Sequence, residues 1–175
     1  MRVIFHIGRY TKFLRAVLRR PDNWSMFRKL FVAEMGTIGV QSVGIVILLA
    51  TFMGAVMCLQ TAHQVGGWIP TYTIGFTVRQ TMILEFSPTL IPIILAGKVG
   101  SNIASQLGTM RVTEQIDALE IMGVNSAGYL VLPKIIAGLL CIPVLVVFSM
   151  FLGIAAGAGI AYVTGVSSMT DFQYG

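Results

Sequence analysis

TIGVQSVGIVILLATFMGAVMCL, Thr37 to Leu59, decides the fold class. No charged side chain interrupts it, and roughly 20 predominantly apolar residues suffice for a helix to cross a hydrocarbon core. In lipid a segment must satisfy its own backbone polar groups, which a helix does internally. Gln41, Ser42 and Thr51 are its strongly polar side chains. Gly39, Gly44 and Gly54 leave backbone bare for close helix approach.

Upstream, residues 1–33 read as a basic amphipathic region. Ile4, Phe5, Ile7, Phe13, Leu14, Val17 and Leu18 alternate with Arg and Lys at roughly helical spacing. Pro21-Asp22-Asn23 breaks the pattern, and Trp24, Phe27, Leu30 and Phe31 resume an apolar face. Eight of the twelve Lys and Arg residues precede Glu34. That bias ahead of a span sets the N-terminus on the cytoplasmic side and fits a helix lying in the interface plane. The bland reading is a solvated arm. No compact apolar run with a small-residue cleavage site occurs in the first 30 residues, so no cleavable leader is expected.

Downstream, residues 60–79 read as an outer loop, with Gly66-Gly67 and Pro70 as breakers and Trp68 and Tyr72 suited to the interface. Residues 80–98 read as a second span holding Glu85, Pro88 and Pro92, the prolines predicting a kink or a break. Residues 129–164 give a third apolar window, long enough to require tilt or an interfacial start. Gly153 and Gly157 there form a GxxxG, a close-packing face within or between chains. The expected fold is therefore all-α and integral to a membrane. Residues 34–175 form the transmembrane domain behind the 1–33 arm.

Composition agrees. Only 11% of residues are charged, against about 25% in soluble domains, and mean hydropathy is +0.82. Cys58 and Cys141 lie in apolar windows and read as packing residues. His6 and His63 have no metal-ligand spacing, and no phosphate loop GxxxxGK[ST] occurs. Neither a catalytic set nor a cofactor site is expected, and the basic arm ahead of a span argues for membrane rather than nucleic acid.

Between the second and third spans lies a polar stretch, AGKVGSNIASQLGTMRVTEQIDALEIMGVN, Ala96 to Asn125. Gly97, Ser101, Ala104 and Gly108 fall on one helical stripe without bulk, with Gly100 beside it. Lys98 begins the stretch and can snorkel to phosphate or pair with a carboxylate. A second short helix follows. Thr113 reads as its N-cap, Glu114 and Asp117 as first-turn acids, and Gly123 as its left-handed stop. Val112, Ile116, Leu119 and Met122 form an apolar stripe, opposite Glu114, Gln115, Asp117 and Glu120. One Arg against three acids between residues 99 and 128 defies the positive-inside bias, which favours a docking helix over a plain surface helix. Glu85 is costly inside an apolar window. Arg79 and Lys98 are candidate partners for it, and ion coupling is its alternative use.

That stretch resembles the signature of the MlaE (YrbE-type) permease family, roughly AGRxGSAxAAELGTMxVTEQIDALxxMG. The match is long at Gly97, Gly100-Ser101, Leu107 to Met110 and Val112 to Leu119. Glu85 to Leu90 and Leu130 to Lys134 extend it, over about residues 30–165. Lys98 stands where Arg is usual, Gln106 where Glu is usual, Asn125-Ser126 where Asp-Pro is common, and Lys134 where Arg is usual. Lys keeps the charge but loses the bidentate fork. Loss of the acid at 106 is expected to be linked to the change at Lys98.

The resemblance implies a lipid-transporting ABC permease subunit of the bacterial inner membrane. It implies a homodimer with a cytoplasmic ATPase that holds the ATP and Mg²⁺, and with periplasmic MCE-domain lipid carriers. Thr113, Glu114, Gln115, Ile116, Asp117, Leu119 and Met122 would form the coupling helix, and Glu85 and Lys98 would lie on the lipid pathway. The family has about five spans, so the three here imply that the last two are missing. The rival readings are an ion-coupled secondary transporter using Glu85 and a structural membrane scaffold.

Overall fold

The structure, a computed structural model, describes residues 2–17, 24–65, 70–166 and 169–174. Every regular element among them is helical. Three helices are long and apolar enough to cross a membrane: Trp24–Gln64, Tyr72–Val112 and Ser126–Thr164.

Helix α1 (Arg2–Val17) exposes Phe5, Tyr10 and Phe13 and carries Arg15 in its last turn, where the helix dipole favours a cation. The expected break at Pro21-Asp22-Asn23 lies outside the described residues. Helix α2 (Trp24–Met35) continues through a π-helical turn, Gly36–Val40, into α3 (Gln41–Val65). The helix thus passes 33/34, the expected edge of the arm, without interruption. Its 41 residues would measure about 60 Å, twice the hydrocarbon thickness of about 30 Å. A charge-free window locates the lipid-facing part of a helix, not its ends.

Helix also fills part of the loop expected at 60–79. Helix runs to Val65 and resumes at Tyr72 as α4 (Tyr72–Thr81). Gly66, Gly67 and Trp68 lie outside the described residues, and Pro70 accepts from the Thr73 amide at the helix entry. A π-helical segment, Met82–Leu90, joins α4 to α5 (Ile91–Val112). Pro88 sits inside that segment. Lacking an N–H, it opens the backbone ladder, and the wider turn absorbs the misfit without ending the helix. After the short α6 (Gln115–Ile121), α7 (Ser126–Thr164) forms the third span, and α8 (Met169–Tyr174) closes the described chain.

Backbone contacts group the chain into two units: Met1–Gln41 with Lys98–Cys141, and Ser42–Gly97 with Ile142–Gly175. In the first, Ile38, Ala137 and Cys141 are buried together, with Phe31 and Val99 packed against them. In the second, one cluster gathers Cys58, Ile74, Val78, Met82, Ala161 and Phe172, another Val46, Ile91, Leu95 and Leu145. Both cysteines are free and buried. The GxxxG of α7 packs within the chain. A Cβ added at Gly54 would fall 2.0 Å from the Gly153 carbonyl oxygen, and one at Gly157 would fall 3.3 Å from the Gly54 oxygen. Phe172 seats α8 on α4, where a Cβ at Gly75 would meet its carbonyl at 2.5 Å.

Candidate functional site

The polar stretch after the second span is helix for most of its length. Gly97, Gly100, Ser101, Ala104 and Gly108 all lie on α5 and are exposed. No atom within 4 Å would meet a Cβ at any of the three glycines. The stripe is therefore an open face, not a packing seam within the described chain.

At its end α5 turns sharply. The Thr113 hydroxyl donates back to the Thr109 carbonyl at 2.8 Å, so Thr113 closes α5 and does not cap the next helix. The N-cap position falls to Glu114, in the left-handed conformation with φ 57° and no side-chain cap bond. It is the one non-glycine with positive φ among the described residues. Only Thr113 and Glu114 separate α5 from α6, and the left-handed residue lets the chain change course within that link. For an L side chain that conformation costs roughly 1–2 kcal/mol. Glu114→Gly is expected to raise thermal stability in detergent by about 0.5–1 kcal/mol. An unchanged or lower unfolding midpoint would remove strain as the explanation.

Helix α6 then runs Gln115–Ile121. Gly123, at φ 76°, donates to the Glu120 carbonyl, and Val124 donates to that of Leu119. This is the paired stop that a left-handed glycine permits. Arg111 pairs with Asp117 across the turn, both well exposed, an arrangement that orients more than it stabilises. Ser126 Oγ donates to Glu120 at 2.9 Å. Ile116 and Leu119 are half-buried, whereas Val112, Ile121 and Met122 are 84%, 87% and 68% exposed. The apolar stripe is thus split: part seats α6, and part is left bare beside Glu114, Gln115 and Glu120.

Asn125 does two jobs. Its side-chain oxygen accepts from the Gly128 amide, capping α7, and its amide donates to the Ala16 carbonyl at 2.7 Å. That carbonyl lies in the last described turn of α1. An aspartate could make the cap but not the second bond, so the departure at 125 adds a tie to α1.

A buried charge lies about two turns beyond α6. Lys134 on α7 is 6% exposed and donates to the Glu34 carboxylate of α2 and the Gln106 side-chain oxygen of α5. A cleft of about 450 Å³, lined by Leu30, Glu34, Gln106, Tyr129, Lys134 and Gln115 among others, reaches from this cluster to the start of α6. Sequence reading missed it, although Gln106 and Lys134 had each stood out. Gln106 was expected to answer to Lys98, but Lys98 donates instead to the Gln41 carbonyl at 2.5 Å, and Gln106 meets Lys134. Glu34 gave no signal except as a lone acid at the foot of an apolar window.

Glu85 lies on an exposed face of the π-helical segment and takes no part in the Glu34–Lys134 or Arg111–Asp117 pair. On the buried face Ser87 borders an apolar cavity of about 50 Å³ with Met53, Met82 and Phe86. That space suits a water or two, not an acyl chain. Among the described residues no group of three or more His, Cys, Asp or Glu is placed to hold a metal ion.

The Permease MlaE family matches residues 31–175. The chain belongs to the MlaE permease family. A probable ABC transporter permease of Synechocystis sp. is 38% identical over 130 residues, 74% of this chain and 49% of its own length. One from Rickettsia bellii is 32% identical over 173 residues, 99% of this chain and 65% of its own. Protein TRIGALACTOSYLDIACYLGLYCEROL 1, chloroplastic, of Arabidopsis thaliana is 33% identical over 125 residues, 71% of this chain and 36% of its own. The chain spans between about a third and two thirds of the length of these relatives. As an MlaE-family permease it is a multi-pass membrane protein of the transport subunit type, not the ATPase.

Proposed function

We propose that this chain is the membrane subunit of an ABC transporter that moves phospholipid or a related lipid. A cytoplasmic ATPase holds the ATP and Mg²⁺, and a periplasmic MCE-domain carrier exchanges the lipid. The subunit works as a homodimer in the bacterial inner membrane with its N-terminus in the cytoplasm, and α1 lies at the interface. A relative named for trigalactosyldiacylglycerol, itself a glycolipid, supports lipid as the cargo class. The open small-residue stripe of α5 suits close packing by a helix of a second copy. Glu85 and Lys98 act on lipid headgroups where they line the path.

The observation that carries the reading is α6. A seven-residue helix, held by a strained turn at one end and a glycine stop at the other, leaves Ile121 and Met122 bare beside the exposed Glu114 and Glu120. Bare apolar side chains rimmed by charge suit a protein interface, and here they serve as the ATPase-docking element. Glu114→Lys with Asp117→Lys is expected to cut co-purification of the ATPase at least tenfold without changing the yield of folded permease. Unchanged co-purification, or native complexes without any ATPase, would refute the reading.

A further inference from the structure

Helix α6 is short and exposed, and must act on the spans through its two flanking helices. Gln106 lies six residues before the end of α5, and Lys134 eight residues after the start of α7. At 1.5 Å per residue, these positions stand about 9 Å and 12 Å from α6 along the two helices. They meet through the Lys134 ammonium, which cross-braces the α5–α6–α7 hairpin. The same ammonium reaches Glu34, on the helix that continues as the first span. The cleft between this cluster and Gln115 leaves open space below it. The ammonium thus joins three helices at the edge of an open space.

We propose that Lys134, held by Glu34 and Gln106, is the positioning residue that passes a displacement of α6 to the first span. Two departures from the family pattern meet in this cluster: position 106 has lost its acid and position 134 has Lys for Arg. Glu34 supplies the acid of the cluster from a third helix. The bridge thereby spans all three long helices, where a Glu–Arg pair at 106 and 134 would span only two. The ammonium's compact charge, with donors that can point three ways, suits this three-way junction better than a planar fork.

This inference rests on the proposed ATPase-coupled reading. The test uses the complete permease co-purified with its ATPase, in vesicles of phosphatidylethanolamine and phosphatidylglycerol carrying a fluorescent phospholipid. Glu34→Gln is expected to lower lipid moved per ATP hydrolysed at least fivefold, at unchanged ATPase content. Adding Gln106→Glu is expected to leave the ratio low, because the acid on α5 then pairs with Lys134 without tying it to the first span. A native ratio in Glu34→Gln, or recovery to within twofold of native in the double variant, overturns the proposal. If Glu34→Gln does not fold, the double variant is assayed in its place, and a native ratio there overturns the proposal. If the native complex binds no ATPase or moves no lipid, the transport reading fails on its own and the coupling role of Lys134 falls with it.

Discussion

Lys134→Met is expected to lower the stability of the chain by about 3–5 kcal/mol, the size of effect seen when one partner of a buried ion pair is removed. Lys134 is 6% exposed and the Glu34 side chain 16%. Removing the ammonium strands a carboxylate and an amide oxygen together with no donor between them. The unfolding midpoint in detergent and the yield of monodisperse protein measure the loss. Replacing Glu34 by Leu in the same chain should recover most of it, since exchanging both partners of a buried pair for apolar groups is often neutral or better. By the coupling argument above, that doubly apolar chain would fold yet still waste ATP. A Lys134→Met chain as stable as the native one would mean that the pair holds nothing together.

Gly54→Leu is expected to separate the first and third long helices where they cross. Even the first atom of the side chain would fall 2.0 Å from the Gly153 oxygen and 2.8 Å from its carbonyl carbon. Both obstacles are backbone, so a rotamer change cannot relieve them. Overpacking commonly costs about 1–3 kcal/mol and sometimes more, and a clash with main chain belongs at the upper end. Gly44→Ala is the matched control, since nothing lies within 4 Å of its added Cβ. Helix propensity alone should make it neutral or stabilising by up to about 1 kcal/mol. Unfolding midpoints of the two variants side by side check the contrast. Equal midpoints would show that the crossing yields freely.

The spans were legible because charge is sparse over long windows, and the short helix because Thr113-Glu114 and Gly123 mark its ends. The true helix ends were not legible. Arg28, Lys29 and Glu34 interrupt a hydropathy window but not a helix, for which they are good formers. Thr113 has the chemistry of an N-cap, yet tertiary geometry gave the turn to Glu114. The charged cluster was hidden by distance along the chain, with Lys134 separated from Glu34 by 100 residues and from Gln106 by 28. Each of its members reads as an isolated oddity until the helices are laid together. Asn125 likewise showed a cap but not its bond to Ala16, which only the fold of α1 supplies.

The wide turn at Met82–Leu90 has a consequence for how the second long helix can vary over time. A π-helical turn carries one residue more than the α-helical turn it replaces. Loss of that residue would tighten the helix, and gain of one there is already tolerated. Elsewhere in the helix, a one-residue change would rotate everything beyond it by about 100°, since 3.6 residues complete a turn. The segment thus works as an adjustable joint between two fixed faces. Ile91 and Leu95 can stay on their buried cluster while the stretch bearing Glu85 turns to present other side chains outward. Diversification of what this face touches can proceed by insertion and deletion as well as by substitution, with the packed ends of the helix left in place.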